Sequence, residues 1–299
     1  SVPIVGSFHV YPENFLAPFP ALDKPIFNRI LYFLFDYSVY SHCDAIHAPT
    51  EAVKERLEAF GYHTPISAFS NGLPSTSIHS AESINHRDLN VADSRSRNTR
   101  DAKIRFTLVS TGRLVSEKNH QVLLQALAYS RHSHNIDLYL AGSGPLERDL
   151  QKLATPLAAH IHIGFIPHDE LIALLDCADI YVHCALVEIE GLAALEAMAR
   201  GCMPIIARSA QSSTWRYSLD SRNVFDARNP RRLAALIDYW LEHPVQRAEL
   251  SQRYNSLARD LDIKHSIDAI EGFLLHTLTN YENSDSPSPN LSKLRESLS

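Results

Sequence analysis

Arg113 and Lys118 lie in the stretch FTLVSTGRLVSEKNHQVLLQAL (106–127), which runs from an apolar segment through a glycine and a short polar loop into an amphipathic segment. The pattern predicts a buried strand, a turn at Gly112 and a helix. Open α/β sheets place their ligands at the carboxyl ends of strands, where Gly112 falls. A residue without a side chain lets a ligand approach the backbone, and the following helix offers free N–H groups to an anion. Arg113 can fork onto phosphate oxygens while Lys118 supplies a point charge from the other side of the loop, so a diphosphate is the expected ligand. A solvated loop, with both cations paired to Glu117 or to water, is equally open from spacing alone.

Three further groups of residues could do chemistry. LAGSGPL places Gly142, Ser143 and Gly144 at a strand end, but PLER follows instead of the dinucleotide fingerprint, so a nicotinamide or flavin cofactor is not supported. The cluster reads equally as a ligand-facing turn or a plain strand-to-helix turn. In VEIEGLAALEAMARGCMP, Glu188 and Glu190 precede Gly191 at a helix entry, and Glu196 lies inside that helix. Carboxylates suit sugar and ribose hydroxyls because each oxygen accepts a charge-assisted bond from a neutral donor. A solvated helix surface is the competing reading for each glutamate, and the glycine and apolar face beside Glu196 make it the least bland. His9 ends the strand IVGSF and is placed either to bond a ligand or to serve as a structural histidine. His160 and His162, and His79 and His86, lack the partners of a closed metal site, so no metal is expected. No G-x-S-x-G elbow and no P-loop are present.

The elements that must position these groups alternate. From Ile104 the runs FTLVST, IDLYLAG, HIHIGF, DIYVHC and MPIIAR read as strands, with helices at about 118–131, 145–158, 168–176 and 190–200. NVF and PRRLAALIDYWLEHP extend the unit, with Pro230 as a helix start and Pro244 as a stop. Residues 1–75 form a βαβαβ block containing a long aromatic helix, KPIFNRILYFLFDYSVYSHC, and read as the later half of a Rossmann-like domain. A polar linker is expected over 76–103, a second Rossmann-like domain over 104–261, a closing helix over 262–282 and a disordered tail over 283–299.

Composition narrows the classes. With 45% hydrophobic and 21% charged residues among 299, the chain is globular, and its net charge of −6 gives no footprint for nucleic acid. Four cysteines with no CxxC pair suit a reducing compartment. No apolar run long enough to span a membrane appears, and the opening SVPIVGSFHVYPENF has neither a basic leader nor a cleavage site. The aromatic helix is open to two readings, core packing or contact with a lipid surface.

In combination, GRLVSEKN, LAGSGPL, IHIGFIPHDELIALLDCADIYV and EIEGLAALEAMARGCMPII resemble the donor half of retaining glycosyltransferase family 4. FHVYPEN, CDAIHAPTEAVKERL and SNGLP resemble the later part of that family's acceptor domain. The resemblance implies an α/β GT-B fold of two Rossmann-like domains, the first incomplete in this chain. It implies that Arg113 and Lys118, beside Gly112, hold the donor diphosphate, that Glu188 and His9 serve catalysis near the transferred sugar, and that backbone at Gly191 and Leu192 lies close by. Glu196 would bind the ribose, and the base would rest against Gly164, Phe165 and Ile166. The donor would be a UDP- or GDP-hexose with no obligatory metal, and the acceptor a glycan, polysaccharide or lipid-linked sugar reached from the cytoplasmic face of a membrane. A catalytically incomplete nucleotide-sugar-binding protein of the same fold is the alternative, and a nucleotide-sugar isomerase or hydrolase is a second. The sequence departs from the family pattern at Glu190, where an apolar residue is usual, and at RSAQSSTWRYSL, which replaces a glycine-rich turn.

Overall fold

The computed structural model describes residues 2–16, 24–78 and 105–285, so most of the expected linker and tail lie outside the described residues. Two lobes of parallel sheet form. In the first, β1 (Val5–Ser7), β2 (Ala45–Ala48) and β3 (Ile66–Ala68) lie in the order β1-β2-β3, with helices α1 (Pro12–Leu16), α2 (Pro25–Ser38) and α3 (Glu51–Ala59) between them. Thr50 caps α3, its side chain accepting from Val53 N–H at 3.3 Å.

The second lobe alternates strand and helix as the sequence predicts: β4 (Phe106–Thr111), α4 (His120–Leu127), β5 (Ile136–Ala141), α5 (Glu147–Ala154), β6 (His160–Gly164), α6 (His168–Cys177), β7 (Ile180–His183), α7 (Leu192–Ala199), β9 (Met203–Arg208), β11 (Val224–Asp226) and α8 (Pro230–Glu242). Two short strands, β8 (Val187–Glu188) and β10 (Gln211–Ser212), pair with each other beside the main sheet. The main sheet runs β11-β9-β7-β4-β5-β6, all parallel. Leu108, Leu138, Ile180, Val182 and Ile205 are fully buried, as expected of strands covered on both faces. The order reverses between β4 and β7, so the ligand crevice of this topology opens where Gly112 and the loop after His183 meet.

Three expectations change. Pro244 does not only stop α8: it opens another helix, α9 (Pro244–Arg259), before the closing α10 (Ile263–Asp285). The aromatic helix is shorter than expected, ending at Ser38 ahead of a 3₁₀ turn at Tyr40–His42. Core packing does not cover it among the described residues, since α2 buries Asn28 and Tyr32 and exposes Ile26, Phe27, Ile30, Phe33, Leu34 and Tyr37.

The lobes are tied together. Val187 and Ile189 of the second lobe belong to the buried cluster of the first, with Phe8, Tyr11 and Tyr32. Arg56 of α3 donates to Ala210 O at 2.8 Å, and Arg216 pairs with Glu55 at 2.7 Å. The chain returns to the first lobe where Leu73 N–H donates to Leu261 O at 2.7 Å and Ile263 N–H to Leu73 O at 2.8 Å.

Candidate active site

Gly112 follows β4 with φ 144°, and its N–H donates to Ala141 O at 3.1 Å. The GSG cluster explains itself against this loop. A Cβ on Gly142 would lie 1.9 Å from Gly112 O, and one on Gly144 would lie 2.5 Å from Leu114 O. Leu114 N–H donates to Ser143 O at 2.9 Å, and Leu146 N–H to Leu114 O at 3.0 Å. The two glycines therefore let the second turn support the Arg113 loop from below. Asn119 pins its far end in the left-handed conformation, φ 55°, with its amide donating to Ala227 O at 2.9 Å.

Within that frame both cations face carboxylates. Arg113 donates to Glu117 at 2.9 Å, where Glu117 is buried and Arg113 exposed. Lys118 Nζ lies 2.5 Å from Glu188 Oε2, each side chain about four-fifths covered. Burial would raise the Glu188 carboxyl, but Lys118 and His183 overcome it and hold it below the ordinary carboxylate range. His183, at the end of β7, was not singled out from sequence. Its Nε2 is buried with no hydrogen-bond partner among the described residues and lies 3.6 Å from Glu188 Oε2. Burial holds its pKa down to about 4, so the ring is neutral near pH 7. His120 Nδ1 is likewise buried and unpartnered among the described residues, with its pKa lowered to about 4 by burial and then by Lys118 and His183.

Strand alternation sorts the next residues. Val187 and Ile189 point into the first-lobe core, while Glu188 turns to Lys118 and Glu190 to the SNGLP loop. Glu190 is buried and accepts from Asn71 Nδ2 at 2.6 Å, from Asn71 N–H at 3.3 Å and from Ser70 Oγ. It therefore joins the lobes, where the sequence offered it as a third ligand glutamate. Gly191, φ 85°, is dictated by packing, because a Cβ there would meet Thr214 Oγ1 at 2.4 Å. Leu192, half-exposed, begins α7, and Glu196 one turn on accepts from Ser77 Oγ at 2.8 Å. Gly164 ends β6, the exposed Phe165 and then Ile166 follow it, and Gly164 O accepts from Gly142 N–H at 2.8 Å.

His9 follows β1 and is exposed. His47 Nε2 donates to Phe69 O at 2.8 Å, which leaves Nδ1 of its neutral ring to accept from Ser7 Oγ at 2.8 Å. Burial lowers the His47 pKa and keeps it neutral. Ser7 Oγ then accepts from His9 Nε2–H at 2.7 Å, so it is the Nε2 edge of His9 that the first lobe holds. His9 bonds Ser7 and not Glu188, but their neighbours Phe8 and Val187 share one buried cluster. The structure thus joins Lys118 to Glu188 directly and leaves His9, Glu196 and Phe165 on separate elements. Among the described residues no three His, Cys, Asp or Glu side chains group as a metal site would require.

Two parallel-sheet lobes of this topology define the GT-B class of fold, and several solved structures share it. Anabaena HepE in complex with UDP and glucose aligns over 92% of this chain and 72% of its own, at 17% identity and TM-score 0.70. The chain belongs to the family glycosyl transferases group 1, whose profile matches residues 93–259, over half its length. It is similar to the catalytic domain of cholesterol-alpha-glucosyltransferase from Helicobacter pylori, 38% identical over 52% of this chain and 98% of that one, TM-score 0.50. It is also similar to the alpha-monoglucosyldiacylglycerol synthase of Streptococcus pneumoniae, 26% identical over 69% of this chain and 46% of that protein. The chain spans less than half the length of the curated relatives it matches.

Proposed function

We propose that the protein is a retaining glycosyltransferase that moves a hexose from a UDP- or GDP-hexose to a lipid or lipid-linked acceptor at a membrane surface. The observation that carries the reading is the Arg113–Lys118 loop meeting Glu188 at the point where the strand order reverses. Arg113 and Lys118 would hold the donor diphosphate, Gly191 and Leu192 backbone and Glu188 would lie beside the sugar, Glu196 would take the ribose, and Gly164–Ile166 the base. His9 would meet the sugar from the first lobe. The acceptor hydroxyl oxygen would form its bond to the anomeric carbon on the face from which the diphosphate leaves. The hydroxyl proton would depart with that diphosphate. Arg113 and Lys118 would take up the negative charge growing on the leaving group, and the two lobes would supply orientation.

Glucose and a lipid acceptor are favoured by the names of the two relatives from Helicobacter pylori and Streptococcus pneumoniae. The exposed apolar stripe of α2 is suited to a lipid surface. Calorimetry with UDP-glucose, UDP-galactose, GDP-mannose and ADP-glucose tests the donor site. One of the four should bind, and Arg113→Ala or Lys118→Ala should weaken it by at least about tenfold, since each removes a charge-assisted bond of roughly 1.5–3 kcal/mol. No binding to any of them, or no loss in either variant, rejects the site. Binding without transfer to any lipid acceptor would instead favour a donor-binding protein of the same fold.

A further inference from the structure

A cavity of about 780 Å³ opens between the lobes and contains none of the residues assigned above to the donor. It borders the site through Glu117, which precedes Lys118, and Val187, which precedes Glu188. It therefore approaches the reacting pair from the side the donor leaves open. One wall comes from the first lobe, including Asn28 near the start of α2, Arg56 and Phe60, and the other from the ends of β9 and β11 and from Trp215.

Most charges on these walls are spent. Glu13 pairs with Arg56 and Glu117 with Arg113. What remains is Arg208 at the end of β9, Asp226 beside it at the end of β11, and Arg228. Asp226 accepts from Arg228 N–H at 3.0 Å, and neither exposed guanidinium has an ion-pair partner among the described residues. A second cavity of about 590 Å³ shares Arg208, Trp215 and Asp226 and adds Arg232, also exposed and without an ion-pair partner among the described residues. Free guanidinium groups suit phosphate oxygens, and the aromatic and aliphatic surface of Phe60, Leu186 and Trp215 suits an apolar chain.

We propose that this cavity is an acceptor subsite for an amphiphile bearing a phosphate group, with the phosphate on Arg208 and Arg228 and the apolar part against Phe60, Leu186 and Trp215. The assignment rests on the glycosyl-transfer reading and narrows its acceptor. Arg208 opens RSAQSSTWRYSL, where the sequence leaves the family pattern, and Arg228 lies just after the next short strand, Val224–Asp226.

The protein carries its own reporter. Of its two tryptophans, Trp240 is buried and Trp215 lines the cavity, so a ligand-dependent change in indole fluorescence comes from Trp215. The full chain is titrated with dihexanoyl phosphatidic acid, dihexanoylglycerol and inorganic phosphate. Phosphatidic acid should give a saturable change, the other two should bind at least about tenfold more weakly, and Arg208→Gln with Arg228→Gln should raise its midpoint about tenfold or more. UDP-glucose affinity, measured on the same double variant, should not move, which also shows that it folds. No saturable response, an unaltered double variant, or inorganic phosphate binding as well as the amphiphile would each overturn the proposal. Failure of the intact protein to bind any nucleotide sugar would count against the glycosyl-transfer reading and leave this titration to be judged separately.

Discussion

At 2.5 Å from Glu188, the Lys118 ammonium is committed to a carboxylate, so on the proposed reading a diphosphate arriving beside Arg113 would compete with Glu188 for the same three N–H donors. If Lys118 turns to phosphate, Glu188 is left mostly buried beside a new negative charge, and a buried carboxylate without a partner is costly. His183 answers that cost, because its unpartnered Nε2 already lies 3.6 Å from the same oxygen. A small rotation would let the ring keep Glu188 in place while Lys118 serves the donor. His183→Leu should therefore lower kcat by about tenfold or more, the worth of a hydrogen bond to a charged group, and change donor affinity by less than about twofold. His183→Gln, which keeps an N–H donor at the Nε2 position, should recover much of the loss. Equal defects in Leu and Gln, or a loss confined to donor affinity, would make His183 a packing residue only. Nothing in the sequence marked it, because a histidine ending a buried strand shows its orphan nitrogen only once Glu188 is folded back across it. The sequence did single out Lys118 and Glu188, which the fold brings into contact, because a cation and a carboxylate beside glycines carry a chemical meaning before any fold is known.

The elements were legible wherever a period of apolar residues coincided with punctuation, as in β4, α4 and the Pro230 helix, and were missed where the buried face is polar. Helix α9 buries Arg247, Ser251 and Asn255, which blur its apolar period; Asp179 holds Arg247 at 2.7 Å and Ala199 O holds Asn255 at 2.6 Å. Gly142 and Gly144 were equally opaque, since the backbone they approach lies in a different loop. Glu190 is the same case between lobes: its partners Ser70 and Asn71 are more than a hundred residues earlier in the chain. Because Val187, Glu188 and Glu190 share one short segment, the Glu190 carboxylate fixes the Glu188 loop to the first lobe. Glu190→Ala and Asn71→Ala should each destabilise the protein, and a double-mutant cycle in urea should give a coupling of about 1–2 kcal/mol. Additive effects within about 0.3 kcal/mol would show that the two side chains do not hold the lobes together.

Across the whole molecule, no described helix is long and apolar enough to cross a membrane, yet α2 turns Ile26, Phe27, Ile30, Phe33, Leu34 and Tyr37 outward on one stripe. A stripe of this kind is expensive to leave in water and is the arrangement by which a helix lies in a bilayer surface. Pro25 and Asn28, at the start of the same helix, line the cavity beside Glu117 and Val187. A lipid acceptor rising from a surface held by α2 would therefore reach the reacting pair without crossing the donor side. The chain should co-sediment with vesicles of phosphatidylcholine and phosphatidylglycerol, and Phe33→Ser with Leu34→Ser should weaken that binding on the order of a hundredfold. Those two side chains supply about 3 kcal/mol of transfer free energy. Donor affinity in solution should stay unchanged, because neither residue lines the donor loop or the cavity. Turnover on a lipid acceptor in vesicles should fall with the loss of binding, while turnover on a short-chain, water-soluble acceptor should persist. Vesicle binding that survives the double substitution would place the lipid contact elsewhere and remove α2 from the acceptor's path.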